Sequence, residues 1–208
     1  MGFYKKYIQK KKVIIFDFDG VILNSKKNMN VAWRYTSKSN NLNNSFENYF
    51  QYVGLPFFKI LKKMKIEKNY FKIKKDFDRG STSNVAKIKI YPNVLSTLKK
   101  LKTYGKILVL YTSKDYKRTK IFLKKFNLKF DYVECENKMF RGKPYPEQIL
   151  KVLKKIKCDK KEAIFIGDTN YDYLTSKNSK IEFIHAKYGY GKIKNKIRKI
   201  QKINQLIL

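Results

Sequence analysis

Residues 13–25 read VIIFDFDGVILNS. An apolar, largely β-branched run leads into Asp17 and Asp19, set two positions apart, and Gly20 then breaks the pattern. A short apolar run bounded in this way reads as a strand covered on both faces. Two carboxylates at the end of such a strand are costly, because like charges repel and burial penalises both. A positive partner is therefore needed to keep them ionised.

Outward from this stretch, further apolar runs follow: ILVLYT (107–112), FDYVEC (130–135), AIFIGD (163–168) and IEFIHA (181–186). Amphipathic stretches separate them. NVLSTLKKLKTY (93–104) is expected to place Val94, Leu95, Leu98 and Leu101 on one helical face, KRTKIFLKKFNL (117–128) follows, and Pro146 is well placed to open a helix in PEQILKVLKKIK (146–157). Strands alternating with helices predict an α/β fold, a Rossmann-like parallel sheet flanked by helices, with right-handed crossovers. Residues 24–88 depart from the alternation and read as successive helices with no strand among them. They predict a small all-helical domain inserted after the first strand, leaving 1–23 and 89–208 as the core. The last residues, KIKNKIRKIQKINQLIL, carry Ile193, Ile197 and Ile200 at helical spacing. They predict a basic helix that packs one stripe on the core.

The chain has 208 residues, 43% of them hydrophobic and 15% aromatic, which suits a folded protein with one substantial core. Its formal net charge of +33 at pH 7 attracts anions. Lysine far outweighs arginine, and asparagine, isoleucine and tyrosine are abundant, the usage an AT-rich genome produces. Specific nucleic-acid contacts favour the arginine fork. Association with nucleic acid is therefore expected to be nonspecific. The C-terminal basic stretch still motivates a reading from another class, an RNA-binding or scaffold protein on this fold. Cys135 and Cys158 lie far apart without a CxxC pair, as free thiols in a reducing compartment do. No apolar run approaches the ~20 residues of a membrane span, and the N-terminal stretch lacks the pattern of a signal peptide. A cytoplasmic protein without a membrane partner is expected.

In open parallel sheets, ligands gather at the C-terminal ends of strands. Asp17 and Asp19 lie there on the first strand, Thr112 and Ser113 on the second, and Asp168 beyond AIFIG, with Asp172 four residues later. RGKPYPE supplies Lys143. A hard cation suits such a cluster: Mg²⁺ prefers oxygen ligands and shares phosphate oxygens. An EF-hand is excluded, because Ile22 and Asn28 stand where its glycine and glutamate belong.

The order DFDGV, strand-Thr-Ser, Lys-Pro-x-Pro, GDTxxD resembles the haloacid dehalogenase superfamily of phosphotransferases. It is similar to the branch of phosphoglycolate phosphatases and β-phosphoglucomutases, which carries a helical cap. The resemblance implies that Asp17 is the nucleophile and that Asp19 is the acid, then the base, also ligating Mg²⁺ through its carbonyl. Gly20 would make the tight turn, Thr112, Ser113 and Lys143 would hold the phosphoryl group, and Asp168 and Asp172 would serve the metal. Gly54, Leu55 and Pro56 lie where relatives carry a specificity loop. The activity implied is a Mg²⁺-dependent phosphatase acting on a small phosphorylated metabolite through an aspartyl-phosphate; a phosphosugar mutase is the alternative within the same chemistry. Asn24, Ser113 and Asn93 depart from the usual pattern, the last standing where glycine is common. A second aspartate pair, Asp76 and Asp78, follows a basic helical stretch and is expected at the surface. His185, the one histidine, is expected to be structural.

Overall fold

The computed structural model describes residues 3–137 and 139–208. The chain runs through α1 (Phe3–Gln9), β1 (Val13–Phe16), β2 (Leu23–Asn24), α2 (Lys26–Ser39), α3 (Phe46–Phe50), α4 (Phe57–Lys63), α5 (Tyr70–Ser83), β3 (Lys89–Ile90) and α6 (Val94–Thr103). It continues through β4 (Ile107–Asp115), α7 (Tyr116–Lys125), β5 (Tyr132–Glu136), α8 (Glu147–Ile156), β6 (Ala163–Gly167), α9 (Asn170–Ser179), β7 (Glu182–Ala186) and β8 (Lys199–Ile200). The main sheet has the order β5-β4-β1-β6-β7-β8, and its strand pairs are parallel.

Alternation along each strand supplies two apolar layers. Ile14, Phe16, Leu108, Leu110, Ile164 and Ile166 enter one cluster. Val13, Ile15, Val109, Tyr111 and Phe165 enter another, packed against Ile149, Val152 and Leu153 of α8. With both faces covered, β1 carries no polar side chain until Asp17. This is why the carboxylates emerge at the strand end and nowhere earlier.

Helices α2–α5 enclose a cluster of their own, built from Trp33, Tyr49, Phe57, Ile60, Leu61, Ile73 and Phe77. Trp33 stacks on Tyr49 at 4.8 Å between centroids, a geometry worth about 0.5–1.5 kcal/mol beyond area burial. Ser45 opens α3 with a reciprocal capping pair to Asn48. The chain leaves the sheet and returns to it through the antiparallel β2–β3 ribbon, Leu23 opposite Ile90 and Asn24 opposite Lys89. Two-residue strands give too short a pattern to be read from sequence.

Three expectations are corrected. The basic C-terminal helix does not form. Ile200 lies buried in β8, which pairs with β7, and Ile203 and Leu206 are buried in the turn that follows. Lysines crowd neighbouring turns of the hypothetical helix and repel, while β7 offers an edge along which Lys199 and Ile200 pair. Leu95 is 46% exposed, because Val94, Leu98 and Leu101 already fill the inward face of α6. Asp76 and Asp78 are partly buried: Asp76 accepts from Asn40 at 2.7 Å, and Asp78 is paired with Lys74 and Arg118. The N-terminal stretch forms α1, which packs on the C-terminal turn. Asn93 has φ +65°, a left-handed conformation that asparagine tolerates better than most residues, which explains its place in a position suited to glycine.

Candidate active site

Asp17 continues the β1 ladder, donating its N–H to Ile166 O at 2.9 Å, and its side chain is buried. Lys143, 1% exposed, donates to Asp17 Oδ1 at 2.6 Å and to Asp172 Oδ1 at 2.7 Å. The rings of Tyr111 and Phe165 flank its ammonium at 5.0 and 5.4 Å. Asp172 is fixed by the start of α9. Its Oδ2 accepts from Thr169 N at 2.9 Å and Thr169 Oγ1 at 2.7 Å, and Thr169 returns a cap to the helix. The GDTNYD segment is thus a capping box whose acidic member also reaches Lys143.

Asp168 Oδ2 accepts from Tyr190 N at 2.7 Å, while its Oδ1 is buried without a hydrogen-bond partner. Asp17, Asp168 and Asp172 bring carboxylate oxygens within 4.8 Å of one another. Burial, opposed by Lys143 and reinforced by Asp172, pushes the Asp17 carboxyl up to about 7. Burial and then Asp172 and Asp17 raise Asp168 as well. Burial disfavours the Lys143 ammonium, but Asp17 and Asp172 outweigh it and hold the lysine charged. Three carboxylates against one lysine leave this cluster short of positive charge. An all-oxygen donor set with an orphaned buried oxygen fits a hard divalent cation.

Asp19 is held at both oxygens: Ser25 Oγ donates to Oδ1 at 2.6 Å, and Lys114 Nζ lies 3.0 Å from Oδ2. Burial pulls the Lys114 ammonium below the usual lysine range, with Asp19 acting against that pull. Thr112 is buried beside Asp17 and Asp19, its Oγ1 accepting from Lys114 N at 3.1 Å. Ser113 Oγ donates across to Gly54 O at 2.7 Å, tying β4 to the helical segment.

Asp17, Asp19, Thr112, Ser113, Gly54 and Leu55 line one cavity, with Lys114, Arg118 and the rings of Tyr49, Phe57 and Phe77. It holds about 50 Å³ of free space, room for a few water molecules. Pro56 is not in this wall; it precedes α4 and packs near Gly142. Gly20 is also outside the cavity, and its place is steric. With φ +93°, an added Cβ would meet Asp168 Oδ2 at 2.1 Å. Gly54, with φ +106°, leaves 2.7 Å between an added Cβ and Thr169 Oγ1. His185 is buried at the end of β7, its Nε2 3.3 Å from Gly191 O, and burial lowers its pKa.

Sequence reading missed Ser25, Lys114, Arg118 and Tyr190. Lys114 had a signal, since it directly follows the Thr-Ser pair at a strand end. Arg118, one helical turn on, pairs with Asp115 at 2.6 Å and with Asp78 of α5 at 3.0 Å, a contact across 40 residues that no local pattern encodes. Lys74 closes the group against Asp78 at 2.6 Å and Asp115 at 3.2 Å.

A parallel sheet whose strand ends bring together three buried carboxylates and a buried lysine defines an α/β protein with a candidate phosphate-handling site. Residues 14–186 match the model of the haloacid dehalogenase-like hydrolases, and the chain belongs to that family. It is 28% identical over 193 residues to the phosphoglycolate phosphatase of Aquifex aeolicus, covering 89% of each chain. It is 25% identical over 172 residues to the pyrophosphatase PpaX of Bacillus velezensis, covering 80% of this chain and 78% of the relative. A haloacid dehalogenase-like hydrolase from Streptococcus pneumoniae superposes with a TM-score of 0.82 at 18% identity, over 95% of this chain and 97% of that one.

Proposed function

We propose that this protein is a Mg²⁺-dependent phosphatase that hydrolyses a small phosphate monoester through an aspartyl-phosphate. The observation that carries the reading is the Lys143 bridge between Asp17 and Asp172, beside the unpartnered Asp168 oxygen. A carboxylate attacks a phosphate dianion only where surrounding charge is neutralised. Lys143 supplies part of that charge. Asp17, Asp168 and Asp172, with the Asp19 carbonyl, would hold Mg²⁺, which screens the phosphoryl oxygens when bound.

Asp17 attacks phosphorus, and the ester P–O bond breaks. Asp19 gives its proton to the departing oxygen, then takes one from the water that attacks the aspartyl-phosphate. Phosphate leaves, and Asp17 is restored. Thr112 and Ser113 line the space where the phosphoryl group would sit. Residues 24–88 act as a cap on the core, with Gly54 and Leu55 facing the leaving group. A free space of about 50 Å³ favours a small leaving group and requires the cap to open for entry. The names of the relatives, phosphoglycolate phosphatase and pyrophosphatase, agree with a small phosphorylated substrate.

Two thiols without a disulfide, Cys135 and Cys158, suit a reducing cytoplasm. Among the described residues, no helix is long and apolar enough to cross a membrane. The test is phosphate release from a panel of small phosphate esters, with Mg²⁺ and with EDTA, for wild type and Asp17→Asn. Metal-dependent release by the wild type alone supports the reading. Silence on the whole panel from folded protein overturns it, and phosphoryl transfer between sugar hydroxyls would then assign a mutase.

A further inference from the structure

Ser25 stands at the N-cap of α2, yet its hydroxyl makes no bond to that helix. A capping serine normally contributes about 0.5–2 kcal/mol to its helix. Here the hydroxyl points instead to Asp19 Oδ1, at 2.6 Å. Ser25 is fully buried, so the choice is not made by solvent.

The same oxygen lies 3.0 Å from the hydroxyl of Tyr190, and Ser25 N donates to that hydroxyl at 2.6 Å. Ser25 has one hydroxyl proton, and the carboxylate takes it. The Tyr190 hydroxyl is therefore the donor in the Tyr190–Ser25 contact, with Leu23 O as a longer acceptor at 3.2 Å. Two hydroxyls in series end on a carboxylate, an arrangement in which each bond strengthens the next. The ring of Tyr190 packs on Phe50 of α3, with centroids 5.2 Å apart, and belongs to the edge of the apolar cluster inside the helical segment.

We propose that Tyr190 is a positioning residue: through the Ser25 hydroxyl it orients Asp19, and through its ring on Phe50 it makes that orientation depend on the seating of the cap. The inference rests on the phosphatase reading, in which Asp19 protonates the leaving oxygen. Lys114 fixes the other Asp19 oxygen from the core side, so only the Ser25 side follows the cap. Tyr190 also holds Asp168, but through its backbone N–H, which a side-chain substitution leaves in place.

The test compares kcat/KM for para-nitrophenyl phosphate, whose leaving group needs little protonation, with kcat/KM for the alkyl phosphate that the enzyme hydrolyses best. Tyr190→Phe should lower the alkyl value about fivefold or more, the loss of one hydrogen bond between neutral groups. The aryl value should change less than about threefold by the same scale, and the Mg²⁺ concentration for half-activity should not move. Ser25→Ala should reproduce the pattern, Ser25→Thr should restore it, and Phe50→Ala should show it through the cap. Ser25→Ala carries the test alone if Tyr190→Phe fails to fold. Equal losses on both esters in the tyrosine and serine variants would reduce the pair to a structural role and overturn the proposal. A Phe50→Ala enzyme with an unchanged ester ratio overturns the coupling to the cap. Wild-type enzyme that releases phosphate from neither ester overturns the phosphatase reading, and this inference with it.

Discussion

The ammonium of Lys143 lies 2.6 Å from Asp17 Oδ1, joining residues 126 positions apart in sequence, and both side chains are buried. Removing one partner of a buried pair strands the other. Lys143→Met leaves Asp17 and Asp172 facing each other without a cation. Phosphate release should fall about 10²–10³-fold, the usual loss for one electrostatic donor. Thermal unfolding should show the variant destabilised at neutral pH and less so near pH 5, where Asp17 takes up a proton. A variant that keeps wild-type turnover would remove Lys143 from the chemistry.

The Asp17 carboxyl, raised from 3.8 to about 7 by burial, makes stability depend on pH. Between those two values the folded protein holds a proton that the unfolded chain releases. This group's contribution is therefore most favourable below about pH 4 and declines as pH rises towards 7. A divalent cation competes with the same proton. Mg²⁺ should raise Tm more at pH 8 than at pH 5.5, measured against EDTA at each pH. Equal shifts at both pH values would place the binding site away from Asp17.

Gly20→Ala should destabilise the protein by more than Gly105→Ala. Both glycines have positive φ, so both variants carry the left-handed strain of about 1 kcal/mol. Nothing lies within 4 Å of a Cβ at Gly105, whereas one at Gly20 meets Asp168 Oδ2 at 2.1 Å. The excess loss on denaturant unfolding, with a weaker response to Mg²⁺, reports the collision with Asp168. Equal losses would show that Asp168 can move aside freely.

Arg118 is almost wholly buried between Asp115, which caps its helix, and Asp78 of α5. Burial acts against its charge, and the two carboxylates hold it. Arg118→Met should cost about 3–5 kcal/mol, the scale for breaking a buried pair. In a double-mutant cycle with Asp78→Ala, a coupling of at least ~0.5 kcal/mol is expected for residues in contact. Additive losses would mean that the contact between α5 and α7 carries no energy of its own.

The sheet was legible because its central strands β1, β4 and β6, covered on both faces, are apolar runs with polar residues only at their C-terminal ends. Asp17, Asp168, Asp172 and Lys143 could be named because each lies in a short motif at such an end, and the structure brings these four together. Asp19 was equally visible, but what holds it was not. Ser25 looks like an ordinary cap residue, and Tyr190 is one tyrosine among sixteen. Their partners come from segments more than 160 residues apart. The C-terminal segment misled because isoleucine spacing alone suits a helix, while the decisive factor, an open edge on β7, belongs to the assembled sheet.

The position of β1 at the middle of the sheet also has a consequence for how the chain is made. Its partners, Ile107–Leu110 on one side and Ala163–Ile166 on the other, are synthesised long after it. Helices α2–α5, with a cluster of their own, are complete before either partner exists. On the ribosome, the helical segment should therefore gain structure first, and the strand bearing Asp17 should remain an unpaired apolar edge until late. Nascent chains arrested before residue 163 should be cut readily by protease within the sheet segments and resist within 26–83. Asp17, among the first groups to leave the ribosome, is then one of the last to reach its folded surroundings.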